Sequence, residues 1–95
     1  MKIKKEQSEN KLTVTLEGRL DADAALLLES ELQDSFSGIS ELVIDLSRLE
    51  YISATGLRAL VFVQNKMKPH GKTVVRNASE NVREILDVTG VIRHE

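Results

Sequence analysis

Apolar and polar residues alternate near the start of the chain. Leu12, Val14 and Leu16 are separated by two threonines, which is the period of a strand with one buried face. Ile3 is expected in a short strand paired with it, and residues 8–10 are expected to form the hairpin connection. The first part of the chain therefore predicts two paired strands.

A helix is predicted after these strands. Gly18 is expected to end the second strand, and Asp21 or Asp23 can cap the helix, because a carboxylate accepts a hydrogen bond from an unpaired amide of the first turn. Residues 37–40 break the helix, and the continuous apolar run of residues 42–44 is typical of a central strand covered on both faces. The inner face of the helix is expected to carry Ala25, Leu28, Leu32 and Phe36.

The rest of the chain predicts two more helices around one strand. The second helix is expected over about residues 56–68, and a strand is expected at residues 73–75. Asn77 or Ser79 can cap a third helix, which Gly90 is placed to end. The expected inner faces are Leu57, Leu60, Val61 and Gln64 in the second helix, and Val82, Ile85, Leu86 and Thr89 in the third.

The order of these elements indicates the fold class. Helical links between short extended segments favour parallel neighbouring strands and one mixed sheet. We predict an α/β fold in which residues 1–95 form a single domain, with a sheet of four or five strands and about three helices packed on it.

Composition excludes several kinds of partner. The 95 residues carry 13 basic and 15 acidic side chains, a net charge of −2, and this balance argues against nucleic-acid binding. Apolar runs are five residues long at most, so membrane insertion is not expected. The absence of cysteine fits a reducing compartment, and we expect a cytoplasmic protein.

Few residues suggest catalysis. His70 and His94 do not belong to a recognisable catalytic motif. The sequence also contains no phosphate-binding glycine loop, zinc-protease motif or acidic calcium loop. It therefore predicts neither an enzyme nor a cofactor or metal site.

The most informative segment is the junction at residues 45–57, where a strand leads into the second helix. The first amides of a helix are unpaired and the helix dipole is positive there, so a phosphate on Thr55 or Ser53 would be stabilised. Without a phosphate, Thr55 is expected to be the N-cap of the second helix, and the two roles are compatible. Arg58 stands where a capping box has Glu or Gln, and its cation can face a phosphate instead.

Asp45 and Phe62 each have two interpretations. The turn after Asp45 can satisfy its carboxylate through backbone amides, or Asp45 and Asp21 can both approach the Ser53 junction, because strand ends gather loops at one edge of a sheet. Phe62 lies off the apolar stripe of its helix, so it either covers another element or serves as a docking hot spot.

Three segments resemble the landmarks of STAS domains, the family of bacterial anti-sigma factor antagonists. The junction contains Asp45-Leu-Ser and then Ile52-Ser-Ala-Thr-Gly-Leu57. Gly18-Arg-Leu-Asp21 and Leu86-Asp-Val-Thr-Gly-Val91 resemble two further landmarks, so the resemblance covers nearly the whole chain. It implies a single-domain STAS-like fold.

The resemblance also implies a phosphorylation switch. Thr55 directly precedes a Gly-Leu pair and would be the phosphoacceptor, while Ser53, which replaces a frequent aspartate of the family, is the alternative acceptor. The implied protein sequesters an anti-sigma factor of histidine-kinase-like ATPase fold, which is also its serine/threonine kinase, and so releases a sigma factor; a PP2C-type phosphatase reverses the modification. The alternative is a non-phosphorylated STAS scaffold or an accessory subunit of lipid transport. The expected partner-binding residues are Asp21, Ser53, Ala54, Gly56, Arg58 and Phe62.

Overall fold

Strands and helices alternate along the part of the chain that the structure describes. The computed structural model describes residues 1–89, without the side chains of the last two. Its order of elements confirms the predicted α/β class, whereas the expected helix end at Gly90 lies outside the described residues. The strands are β1 (Lys2–Ser8), β2 (Lys11–Leu20), β3 (Glu41–Ile52) and β4 (Lys72–Arg76), and the helices are α1 (Ala22–Leu32), α2 (Ala54–Met67) and α3 (Glu80–Thr89).

The strands form one mixed sheet in the order β1-β2-β3-β4. β1 and β2 are an antiparallel hairpin, whereas β2, β3 and β4 run parallel and are linked by α1 and α2. Glu9 and Asn10 form the hairpin connection, and Glu9 adopts a φ of 55°. Because β2 and β3 are parallel, their carboxyl ends meet at one edge, where both helices begin.

One apolar cluster holds the helices against a single face of the sheet. Val14 pairs with Ile44 and Ile44 with Val75, so these side chains lie on the same face, and each is almost fully buried. Val43, on the opposite face of β3, is also buried, in agreement with a central strand. The helices contribute Leu28 and Leu32 from α1, Leu60 and Met67 from α2, and Val82 and Leu86 from α3.

Three local predictions about these elements are wrong. Gly18 does not end β2; it adopts a φ of 107° at a register shift against β3, a conformation that glycine tolerates, and the strand continues to Leu20. Phe36 is buried but lies beyond the end of α1. Ile85, expected on the inner face of α3, is 38% exposed.

The buried face of α2 also differs from the predicted one. Leu57 and Val61 are only partly buried and pack at the margin of the cluster. Apolar spacing gives little weight to small residues, yet small residues let a helix lie close to a sheet. The buried residues of α2 are Gly56, Ala59, Leu60, Val63 and Met67. Over the described residues, no helix combines the length and the apolar character needed to cross a membrane.

Candidate functional site

The carboxyl ends of β2 and β3 bring two helix starts side by side. Leu20 and Ile52, the last residues of these strands, are paired in register. The backbone N–H of Ser53 donates to the carbonyl oxygen of Leu20 at 3.0 Å. The Ser53 hydroxyl donates to the same oxygen at 3.1 Å. The structure therefore brings Asp21, which follows Leu20, next to the Ser53 junction.

Ser53 is the N-cap of α2. Its hydroxyl accepts a hydrogen bond from the Gly56 N–H at 2.9 Å, and its carbonyl accepts the first helical bond from the Leu57 N–H at 2.9 Å. The prediction that Thr55 is the N-cap is wrong, because the helix begins two residues earlier than expected, at Ala54. Thr55 is the second residue of α2, is exposed, and takes no part in the cap.

Ser53 supplies the cap without adding a negative charge. Serine and aspartate are about equally favourable at this position, so replacing an aspartate with serine preserves the cap. The Ser53 hydroxyl is half-buried and is engaged as both donor and acceptor. The first turn of α2 contains no acidic residue, so no carboxylate of its own neutralises the positive end of the helix dipole.

Gly56 sets how closely α2 approaches the strand ends. It is buried, and a Cβ atom there would collide with the carbonyl oxygen of Leu20. The same atom would lie 2.7 Å from Leu20 Cγ and 3.3 Å from Ile52 Cγ1, so a larger residue does not fit. Gly56 was predicted at the partner surface, but its buried position gives it a packing role that fixes where Thr55 lies.

The start of α1 has the same geometry with a different charge. Asp21 Oδ1 accepts a hydrogen bond from the Ala24 N–H at 3.0 Å, so Asp21, and not Asp23, is the N-cap. Asp23 is the second residue of α1, the position that Thr55 has in α2. A cleft of about 370 Å³ beside this start is lined by Met1, Arg19, Asp21, Asp23, Ala24 and Leu27.

Exposed side chains continue from Thr55 along one side of α2. Arg58 and Phe62 follow at helical spacing, and both are exposed, Phe62 to 36%. The Lys66 ammonium nitrogen lies 5.6 Å from the centroid of the Phe62 ring, within the range of a cation–π contact. Phe62 does not belong to the apolar cluster, so it lies at the surface.

Two exposed groups near the helix starts are not among the residues predicted from the sequence to bind a partner. Leu26 is 67% exposed, the highest value among the exposed large apolar side chains of the described residues. Leu26 is the fifth residue of α1, as Arg58 is the fifth residue of α2. Its position off the apolar stripe of α1 is the sequence feature that could have predicted its exposure. The Arg19 guanidinium lies 4.3 Å from the centroid of the Tyr51 ring. The pairing of β2 with β3 brings Arg19 and Tyr51 together, so no local sequence pattern predicts this contact.

Asp45 lies away from the helix starts. It precedes Ile52 by seven residues along β3, and its carboxylate accepts hydrogen bonds from the Ser47 N–H at 2.9 Å and from Asn77 Nδ2 at 3.4 Å. Burial alone would raise the pKa of Asp45, but these hydrogen bonds and the charge of Arg76 outweigh it and hold the pKa below its ordinary value. These contacts match the interpretation in which backbone amides of the following turn satisfy the Asp45 carboxylate.

Residues 1–89 contain no group of three His, Cys, Asp or Glu side chains close enough to hold a metal ion. His70, one of the two histidines in the sequence, has its ring centroid 6.2 Å from that of Phe36. This pair follows the ends of α1 and α2, at the opposite end of these helices from Thr55.

Comparison with known proteins identifies the family. A family model described as "Mlab, STAS domain" matches residues 3–93, and the chain belongs to the STAS family. BtrV of Bordetella bronchiseptica, which carries the name of an anti-sigma factor antagonist, is 31% identical over 94 residues, covering 97% of this chain and 81% of BtrV. The anti-sigma-B factor antagonist of Bacillus subtilis is 29% identical over 86 residues, covering 90% of this chain and 79% of that protein.

Solved structures show the same fold at lower identity. The unphosphorylated form of the anti-sigma factor antagonist SpoIIAA superposes with a TM-score of 0.82 at 14% identity, over 99% of this chain and 87% of SpoIIAA. The phosphorylated form, from Bacillus, superposes with a TM-score of 0.80 at 15% identity, over 99% of this chain and 91% of that one. This likeness confirms the predicted STAS-like fold.

Proposed function

We propose that this chain is an anti-sigma factor antagonist, a protein-binding module whose binding ends when Thr55 is phosphorylated. The observation that carries the proposal is the exposed Thr55 hydroxyl in a first helical turn that contains no carboxylate. A phosphate there adds about −1.5 to −2 charge at a point where unpaired amides and the helix dipole favour an anion. The start of α2 thus tolerates both states of the switch.

The proposed partner is an anti-sigma factor, as the names of BtrV and of the Bacillus subtilis relative suggest. Binding of the unmodified chain releases a sigma factor for transcription. In this cycle the anti-sigma factor has a histidine-kinase-like ATPase fold and phosphorylates Thr55 with ATP, and a PP2C-type phosphatase removes the phosphate. SpoIIAA, which shares the fold, has been solved in both phosphorylation states, which supports a reversible modification.

Thr55 is a better acceptor than Ser53 because of their surroundings. Transfer of a phosphoryl group to Ser53 would remove the proton that its hydroxyl donates to the Leu20 carbonyl oxygen, a hydrogen bond that joins the start of α2 to the end of β2. It would also place the phosphate on the half-buried oxygen that caps the Gly56 N–H. Thr55 is exposed and makes no contribution to the cap, so a kinase can reach its hydroxyl without disturbing the helix start.

The proposed docking surface surrounds Thr55. Leu26 and Phe62 supply exposed apolar area, and Asp21 and Arg58 supply charge at its rim, the usual composition of a protein interface. Thr55 lies on the same side of α2 as Arg58 and Phe62. Burying a phosphate dianion against a partner without matched cations costs several times the roughly 1.4 kcal/mol that changes affinity tenfold.

Phosphorylation with site mapping tests the proposal. The wild type, Thr55→Ala and Ser53→Ala are incubated with ATP, magnesium and the cognate anti-sigma kinase, and the phosphate is located by mass spectrometry. We expect labelling of the wild type and of Ser53→Ala, and no labelling of Thr55→Ala. A phosphate mapped to Ser53, or continued labelling of Thr55→Ala, would contradict the assignment.

A second candidate function is a STAS scaffold that binds partners without phosphorylation, for example as an accessory subunit of lipid transport. The observation that favours it is Ser53, which stands where the family frequently has an aspartate and whose hydroxyl is committed to the helix cap. A chain that binds its partner but is not labelled on either hydroxyl would support this candidate.

A further inference from the structure

We propose that Arg58 holds the phosphate of phosphorylated Thr55 within the same helix, as a positioning residue of the switch. This inference rests on the proposed function and adds to it a named internal contact. Residues three apart on a helix are neighbours, with about 5 to 6 Å between their Cβ atoms. Helical side chains lean toward the N-terminus, so the Arg58 side chain leans toward Thr55.

The surroundings leave the Arg58 guanidinium available. Arg58 is exposed, and within residues 1–89 no carboxylate lies within ion-pair distance of it. The first turn of α2 carries no acid that would compete with a phosphate. A guanidinium forms two parallel hydrogen bonds with phosphate oxygens, which a lysine ammonium does not do.

The start of α1 provides a comparison, because its own helix carries no cation at the spacing of Arg58, and Arg19 of β2 is a cation that lines the same cleft as Asp21 and Asp23. In α1 the residue three positions after Asp23 is the exposed Leu26, so no arginine faces the Asp23 carboxylate at that spacing. Asp21 and Asp23 are also the acids at the adjacent start of α1, and their negative charge opposes a phosphate on Thr55. Arg58 is the group on α2 that balances this repulsion.

The pairing gives phosphorylation two effects on the partner surface. The phosphate adds negative charge, and it withdraws the Arg58 cation from contact with the anti-sigma factor. A carboxylate in place of the phosphate holds Arg58 less firmly, because it carries one charge and lacks the third acceptor oxygen.

Phosphorus NMR on the protein alone tests this inference. Phosphothreonine is installed at position 55 by genetic code expansion, and its second pKa is measured in the wild type, Arg58→Gln and Lys66→Gln. Lys66 is the matched control because it is an exposed cation on the same helix, about 16 Å along the helix axis from Thr55. We expect Arg58→Gln to raise this pKa by about 0.3, and Lys66→Gln to change it by less than about 0.1.

Equal values in the wild type and Arg58→Gln would overturn the pairing, and so would equal increases in the two variants, which would indicate a general effect of net charge. The result does not depend on any kinase, because the phosphate is installed during synthesis. Failure of enzymatic labelling at Thr55 would therefore contradict the proposed function, whereas the pKa of the installed phosphothreonine would still decide whether Arg58 pairs with it.

Discussion

The starts of α1 and α2 share one geometry and differ in charge. Each helix follows a parallel strand, and the last residues of the two strands are paired. Asp21 and Ser53 each cap the third backbone amide, at 3.0 Å and 2.9 Å. The second helical residue is Asp23 in α1 and Thr55 in α2. Cap geometry and charge are thus specified separately, because α1 has carboxylates at the two positions where α2 has hydroxyls.

The third helical residue is Ala24 in α1 and Gly56 in α2, and at Gly56 a Cβ atom would collide with Leu20. Gly56→Ala is predicted to have the largest effect on stability. Helix propensity alone would favour alanine by about 1 kcal/mol, but the clash with Leu20 is expected to lower the free energy of unfolding by about 2 to 3 kcal/mol.

Urea denaturation measures this effect. Ala54→Gly is the control, because Ala54 is exposed at the first position of the same helix, and it should cost no more than about 1 kcal/mol. A Gly56→Ala variant as stable as the wild type would show that α2 does not need its close approach to β2.

Removal of either hydroxyl at the start of α2 is expected to affect the free energy of unfolding by different amounts. Ser53→Ala removes a cap and a hydrogen bond to Leu20, so it should lower the free energy of unfolding by about 1 to 2 kcal/mol. Thr55→Ala leaves the cap intact and should change it by less than about 0.5 kcal/mol. Chemical denaturation of the two variants tests the assignment of Ser53 as the N-cap. A larger loss of stability in Thr55→Ala than in Ser53→Ala would refute it.

Much of this arrangement could be predicted from the sequence. Alternation in β2 and the apolar run in β3 follow from local chemistry and correctly predict strands at these positions, and the sequence narrows the cap of α1 to Asp21 or Asp23, of which the structure shows Asp21. The N-cap of α2 was misassigned because Ser53 and Thr55 are both acceptable caps, and only the hydrogen bonds to Leu20 and Gly56 distinguish them.

Residues that depend on tertiary packing could not be predicted. The need for glycine at position 56 comes from the approach of α2 to Leu20, a contact between residues far apart in sequence. The contact of Asp45 with Asn77 likewise depends on the pairing of β3 with β4, so the sequence left the role of Asp45 open.

Substitution of Asp45 is predicted to have the smallest effect on stability. It also tests whether Asp45 acts together with the helix starts in partner binding. Because its pKa is lowered in the folded state, its carboxylate contributes stability above the ordinary aspartate value of about 3.9, and this contribution is lost as the pH falls through its lower folded value. Asp45→Asn should therefore be less stable than the wild type near neutral pH, and the two should converge in acid.

Thermal unfolding between neutral and acidic pH measures that difference, and partner affinity is the control. We expect Asp45→Asn to bind the anti-sigma factor as the wild type does, because Asp45 contacts Ser47 and Asn77 and lies seven residues before Ile52. A variant with wild-type stability near neutral pH but weakened binding would place Asp45 in the functional surface instead.

Calorimetric titration of the anti-sigma factor tests most directly whether the start of α2 is a charge switch. The wild type, Thr55→Ala, Thr55→Glu and the phosphorylated wild type are titrated against the same partner. We predict that Thr55→Ala binds within about threefold of the wild type, that Thr55→Glu binds more weakly, and that the phosphorylated protein binds at least about tenfold more weakly than the wild type. Equal affinity for all four would contradict the account and leave the scaffold function in its place.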